Sequence, residues 1–434
     1  MANVVFGAPV YSDVGVLYTP TLSGGSWAAG LPLTNLQDRR LHYVARSSTD
    51  AVADTLFTVD LGVNRAVRVL AIPTHNLSSV GTVRARGFTD TPILDALDFS
   101  TGWTATGTPT RVAASYDGST SDGVPLDLIG DDDAAVLERY SRTVVFTGDA
   151  TKIVAFRAKQ GSSTTSAVEL WDGTALVVRM RMTITWTAGV PNTPTGTGTH
   201  LSTTLIGDGV YRFVVLSNTV TAANTNTLYV EPSLATPSAT GTTYMGDVLA
   251  WNLNVDGLAY DTGAELGIPS GLDAEEADGL NVAWYHVAAT AQAARYWRFN
   301  INDTTNPDTY IDLGRLIIAG GFQPAINLDL GATLGLEDDS TSVITDGGAA
   351  IHHARRHRRT ATGVLAEMSD ADQLTWRQLQ KTLGTTGQLF FVLDPDDTTL
   401  AHERAFLAVF SQLDAIEYPT YARARSAFAL REEL

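Results

Sequence analysis

Apolar and polar residues alternate with a period of two through much of this chain, the spacing of half-buried β-strands. Leu56-Phe57-Thr58-Val59-Asp60-Leu61 alternates from Phe57 and breaks at Gly62. Val67 to Ile72 is a short, mostly apolar run of the length expected for a buried strand. Thr82-Val83-Arg84-Ala85-Arg86 alternates again before Gly87. These segments predict the first half of a β-sandwich.

From about residue 98 Thr, Ser and Gly dominate and the predicted strands become evenly spaced. They run over Arg142–Phe146, Lys152–Lys159, Ala167–Trp171, Ala175–Trp186, Tyr211–Leu216 and Thr227–Glu231. Turn signals such as Gly148-Asp149, Asp172-Gly173 and Gly207-Asp208-Gly209 separate them. Short strands at regular spacing predict a second sandwich or jelly roll. Pro191 to Gly198 reads as a loop without periodicity.

A Gly- and acid-rich connection, including Asp273-Ala274-Glu275-Glu276-Ala277-Asp278, covers about 256–281. Alternation then returns in Arg295-Tyr296-Trp297-Arg298-Phe299-Asn300-Ile301, with Trp297, Phe299 and Ile301 on one face. Ile311 to Ile318 follows, and this pair has the texture of residues 56–88. The economical reading is one sandwich interrupted by another, since domain insertion is tolerated at exposed loop tips. It predicts that residues near 95 and 257 lie close in space. The tail from about 323 changes again. Ser369-Asp370-Ala371-Asp372 has the form of an N-cap with an acidic N3. A helix with Trp376, Leu379 and Leu383 on one face ends at Gly384. Phe390–Leu393, Ala405–Phe410 and Ala422–Leu430 read as strands.

The expected organisation is mainly β: a sandwich over 1–97 plus 257–322, an inserted jelly roll over 98–256, and a C-terminal α+β domain with one main helix over 323–434. The length of 434 residues accommodates about three domains.

Composition narrows the function. Apolar residues make up 44%, enough for a packed core, and charged residues only 18%. There are 29 Lys+Arg against 47 Asp+Glu, a formal net charge of −18. Such a surface repels phosphate, which argues against nucleic acid and anionic membranes as partners. With no cysteine, disulfides, thiolate metal sites and a Cys nucleophile are excluded. No window approaches the ~18 apolar residues of a membrane span. Met1-Ala2-Asn3-Val4-Val5-Phe6 lacks the basic and long apolar regions of a signal peptide, so synthesis in a cytoplasm is expected.

No G-x-S-x-G, H-E-x-x-H or G-x-x-x-x-G-K-[ST] motif occurs, and no catalytic role or cofactor is expected. A pair of carboxylates for glycan cleavage can nonetheless come from anywhere in the chain. Gly130-Asp131-Asp132-Asp133 and Glu337-Asp338-Asp339 cluster oxygens suited to Ca²⁺, but neither has the spacing of a known loop, and a solvated turn is the simpler reading. Sugar C–H surfaces stack on aromatic faces, which makes Trp103, Trp171, Trp186 and Trp251 candidate glycan contacts; the alternative for each is a place in the core. His75 and Asn76 follow a buried strand and are read as loop caps.

The strongest local anomaly is basic. Ile351 to Arg359 holds His352, His353, Arg355, Arg356, His357, Arg358 and Arg359 and no acid. Arg355, Arg356, His357, Arg358 and Arg359 are interface candidates for an acidic neighbour; a solvated loop or a charge-blunted edge strand is the alternative. On a strand, Arg356 and Arg358 would share one face and Arg355, His357 and Arg359 the other. Unpaired buried charge is costly, so the segment is expected at an exposed edge, in a loop, or paired with carboxylates of another chain.

Three early blocks, Leu31-Pro32-Leu33-Thr34-Asn35-Leu36, Val59-Asp60-Leu61-Gly62 and His75-Asn76-Leu77-Ser78, resemble the opening of discoidin-like sandwiches in tail proteins of long-tailed bacteriophages. Ala294-Arg295-Tyr296-Trp297-Arg298 and Asp312-Leu313-Gly314-Arg315-Leu316 resemble its closing strands. Between them, Thr101-Gly102-Trp103, Gly207-Asp208-Gly209-Val210-Tyr211-Arg212-Phe213 and Thr243-Tyr244-Met245-Gly246-Asp247 are similar to carbohydrate-binding-like jelly rolls of phage structural proteins. Gly384-Thr385-Thr386-Gly387 with Asp394-Pro395-Asp396 resembles the C-terminal domain of minor tail and baseplate proteins. The resemblance implies a structural protein of a tail tip or baseplate, assembled with other tail proteins and with copies of itself around the tail axis, located in the virion. A receptor adhesin that grips host-surface glycan is the second reading, and a glycan-cleaving enzyme the third.

Overall fold

A computed structural model describes the chain except for residues 1–2, 15–18, 97, 117–125, 134–135, 235–239, 253–255, 269–281, 345–349, 398–399 and 421–422. The acid-rich run 273–278 therefore lies outside the described residues. The fold is mainly β, built of sandwich sheets, with a helix in the C-terminal part. Two compact units divide it: Met1–Gly87 with Glu265–Leu434, and Phe88–Ala264.

In the first unit, Phe57–Ile72 is one 16-residue strand. The expected break at Gly62 is a bulge instead: the register with Trp284–Asn302 shifts between Ala294 and Tyr296, and Gly62 takes a φ of +76°. The partners come from far along the chain, with Phe57 opposite Phe299, Val59 opposite Trp297 and Val69 opposite Val287. Phe57 and Phe299 stack with centroids 4.9 Å apart. Ile317–Ala319 pairs with the other edge of the same strand, Ile317 opposite Ala71. The buried Arg315 forms an ion pair with Asp13, and burial lowers its affinity for a proton.

A second sheet of this unit runs Val5–Gly7, Gln388–Val392, Ala405–Gln412, Arg423–Glu432, His357–Met368, Thr333–Asp338. It thus takes a strand from the start of the chain into the C-terminal region. Val5, Phe390, Val392 and Leu407 share a core with Val69, Ala71 and Ile317, so residues 323–434 belong to the same compact unit as 1–87. On its other face Phe6, Trp376, Phe391 and Phe428 form an aromatic cluster, with Phe6 and Trp376 centroids 5.0 Å apart. Trp376 arrives on helix Asp370–Leu383. The helix starts at Ser369 with a full capping box to Asp372 and ends at Gly384 with a positive φ, both at the residues the sequence pattern names. His75 and Asn76 tie loops: His75 Nδ1 accepts from the Leu77 N–H at 3.2 Å, and Asn76 Nδ2 donates to the Tyr310 carbonyl at 3.1 Å. Burial holds the His75 imidazole down to about 4.

The second unit is a sandwich of two antiparallel sheets. One runs Val190–Pro191, Val177–Thr187, Thr165–Asp172, Asn226–Glu231, Arg139–Val144, Thr104–Thr106. The other runs Thr199–Gly207, Val210–Leu216, Ile153–Gln160, Gly241–Trp251, Leu126–Asp131, Thr110–Tyr116, with Leu94–Ala96 beside Gly241–Trp251. Val168, Leu170, Met180, Met182, Leu228 and Val230 of the first meet Val154, Phe156, Phe213 and Met245 of the second. The segment read as a loop, Pro191 to Gly198, instead supplies edge pairing: Thr195–Thr197 lies along Val177–Thr187. Gly196 permits this, because a Cβ there would sit 1.9 Å from the Arg181 carbonyl oxygen.

Candidate functional site

Period-two alternation places the candidate site on the outer face of the Thr165–Asp172 sheet. Val168 and Leu170 enter the core, so Glu169 and Trp171 point the other way. Leu228 and Val230 likewise turn Tyr229 and Glu231 outward, and Met180 and Met182 turn Arg181 outward. Register brings these together: Glu169 stands opposite Tyr229 on one side and Arg181 on the other.

An ion ladder organises this face. Arg181 donates to Glu169 Oε2 at 2.6 Å and to Glu231 Oε2 at 2.8 Å. Arg139 Nη1 lies 3.6 Å from Glu231 Oε1, beyond hydrogen-bond length, and its guanidinium stacks 3.8 Å over the Tyr229 ring. Burial pushes the Glu231 carboxyl up, and Arg181 pulls against that shift. Two carboxylates thus meet two guanidinium groups, and the formal charge of the ladder sums to zero. Trp171 is half-buried at the edge of this ladder. At the end of its strand, burial raises the Asp172 carboxyl, but the Ala175 N–H, the Asn224 amide and Arg179 outweigh it and hold the group at about 2.

The four tryptophans divide. Trp186 is buried with its Nε1 donating to Ser166 Oγ at 3.0 Å, and Trp251 is fully buried. Neither offers a ring face to a ligand: Trp186 enters the sandwich core, while Trp251, next to the core residue Ala250, is buried on the other face of its strand against Gly257. Trp103 is partly buried against the same core, its ring 4.8 Å from Phe99. Only Trp171 of the four lies on the outward ladder face. Tyr229, Arg139, Arg181, Glu169 and Glu231 were not legible as site residues. Their only signal in the sequence is a polar or aromatic residue at each second position of a strand.

The basic run also divides. Arg355, Arg356 and His357 are exposed, and Arg358 is half-buried against Asp339 at 2.7 Å. Arg356 lines a cavity of about 360 Å³ with His42, Thr74, His75, Asn76 and Asp312. Arg359 departs from the expected exposed position: it is buried and forms an ion pair with the buried Glu432 of the same chain. A carboxylate on the neighbouring strand makes that burial tolerable, so Arg359 is withdrawn from any interface with another chain. Asp338 lies 3.7 Å from His357, and Asp339 is taken up by Arg358. Burial pushes the Asp131 carboxyl up. Among the described residues no group of three or more His, Cys, Asp or Glu is placed to hold a metal ion, and no helix is long and apolar enough to cross a membrane.

No family model and no curated protein matches this chain. Solved structures do, weakly. The xylan-binding domain of carbohydrate-binding family 22 is 16% identical and covers 38% of this chain and 99% of its own, with a TM-score of 0.26. The enzymatically active domain of tailspike protein 4 from bacteriophage CBA120 is 11% identical over 38% of this chain and 21% of its own, with a TM-score of 0.25. A xylanase fragment of Clostridium thermocellum, with family 22 binding and family 10 hydrolase modules and bound xylohexaose, is 12% identical over 37% of this chain, with a TM-score of 0.25. The match spans only 28% of that xylanase chain.

Proposed function

We propose that this chain is a structural component of a bacteriophage tail tip or baseplate, and that its sandwich unit attaches to neutral glycan of the host surface. The observation that carries the attachment reading is the outward face around Trp171. Trp171 lies two residues along the same strand face from Glu169, in a ladder whose charges cancel and whose guanidinium groups cover the carboxylates, a surface suited to the C–H faces and hydroxyls of an uncharged sugar. The tail reading is supported by the ordered sequence blocks of both sandwiches and the C-terminal region. Its partners would be other tail proteins and copies of the chain itself, its place the virion tail after assembly in the bacterial cytoplasm. Glu169 and Glu231 are both engaged by Arg181. That arrangement favours binding over hydrolysis, since a general acid and a nucleophile need carboxyls free to meet the glycosidic bond.

The test is binding of the purified chain to immobilised neutral and acidic host polysaccharides, beside the Trp171→Ala variant. Neutral glycan is expected to bind, and Trp171→Ala to weaken it about tenfold or more. Equal binding by the variant, or retention of acidic glycans alone, would overturn the attachment reading. Electron microscopy of the virion with this chain labelled decides the tail reading independently.

A further inference from the structure

Residues 333–344 and 350–357 build an arm. Thr333–Asp338 is the end strand of its sheet, so its outer edge carries backbone N–H and C=O groups with no strand beside them in that sheet among the described residues. Leu334 and Leu336, two residues apart, are both exposed, Leu336 by 64%. The chain then forms a separate two-stranded ribbon, Thr341–Ile344 with Ala350–His353, in which every residue is exposed. Its base is held by the Arg355 N–H donating to Ser340 Oγ at 3.0 Å. Val343 and Ile351 stand directly opposite one another, 54% and 48% exposed, and Ile344 is 73% exposed.

Two-stranded ribbons are marginal in water and gain stability from a covering surface. Exposed apolar edge strands are sites of association unless they are blunted. The arm's cations gather on its later strand: Arg355 and Arg356 are exposed beside His352, His353 and His357, while Asp338 and Asp339 of the earlier part face His357 and Arg358, on a chain with a net charge of −18.

We propose that this arm seats on an acidic surface of a second copy of the chain, joining copies head to tail. The inference rests on the assembly part of the reading above. A contact that sets Arg355 and Arg356 of one copy against those of another is repulsive, whereas the rest of the chain is strongly acidic. The arm meets a different part of its neighbour, and a contact between unlike surfaces builds rings when its rotation closes. Val343, Ile351 and Leu336 supply the apolar contact; Arg355 and Arg356 supply steering and register.

Sedimentation velocity of the full chain, over a concentration series and at low and high salt, tests this. Oligomers larger than a dimer are expected at low salt and should dissociate as salt screens the contact. Val343→Ser with Ile351→Ser, and separately Arg355→Glu with Arg356→Glu, are expected to sediment as single chains with unchanged far-UV circular dichroism. A wild-type chain that stays monomeric to its solubility limit overturns the proposal. So does a dimer that survives Arg355→Glu with Arg356→Glu. Arm-dependent incorporation into particles by a chain that never self-associates would assign the arm to a different protein and equally overturn it. Glycan binding is measured on the wild-type chain beside its sedimentation: arm-dependent oligomers with no sugar binding remove the attachment reading and leave this one standing.

Discussion

The backbone N–H of Thr89 donates to the carbonyl of Gly257 at 2.8 Å. Four residues on, the Ile93 N–H donates to the Ala250 carbonyl at 2.8 Å. Segments about 160 residues apart in the chain therefore run side by side where the sandwich unit Phe88–Ala264 begins and ends. The remaining unit closes in the same way, with the Gly267 N–H on the Gly81 carbonyl at 2.8 Å.

Replacing 88–264 by a short Gly/Ser linker is accordingly expected to leave Met1–Gly87 with Glu265–Leu434 folded. The excised segment alone should also unfold cooperatively. Calorimetry of both pieces checks this; a broad, non-cooperative transition in either would refute the insertion.

Glu432→Gln is expected to destabilise the first unit by about 3–5 kcal/mol, because it leaves the buried Arg359 guanidinium without its counter-charge. Arg356→Glu, at an exposed position, should change stability by no more than about 0.5 kcal/mol. Urea unfolding of the two variants measures the contrast. Similar midpoints would mean that Arg359 is not held as described.

The tryptophans should separate stability from binding. Trp251→Ala removes a fully buried indole and is expected to cost about 3–5 kcal/mol in the sandwich unit without changing the sugar-facing surface. Trp171→Ala should do the reverse, with a small change in melting temperature and a large loss of glycan affinity. Thermal unfolding and a glycan titration on each protein, at a temperature where both are folded, supply the comparison.

Asp172 predicts an acid limb. Its carboxyl titrates at about 2 in the folded chain, below the ordinary carboxylate range near 4. A depressed folded value stabilises above the unfolded value, so the contribution is complete above about pH 4 and is lost as pH falls through about 2. Asp172→Asn should lower the melting temperature at neutral pH, with the difference from wild type shrinking as pH approaches 2. A difference that is constant over that range would rule the linkage out.

Several elements were legible from local pattern alone. Ser369, Asp372 and Gly384 bound the helix because capping is chemistry within a few residues of the chain. The alternation at Phe57–Leu61 and Trp297–Ile301 marked strands, since one buried face imposes a period of two. Gly62 was misread as a stop, because a glycine that ends a strand and one that bulges it look alike until the partner strand is known.

What the sequence determined by itself is the class of structure and its charge: period-two strands, one capped helix, no thiol chemistry, and a cationic run within a chain of −18. Only the tertiary structure decided which polar residues meet. Arg359 and Glu432 are 73 residues apart, and Arg181 and Glu231 are 50 apart; strand order and register make them partners. The same long-range pairing turned Trp186 into the sandwich core and left Trp171 facing out. A one-residue change of register would exchange those faces, and register is fixed by contacts between strands that no local run of residues contains.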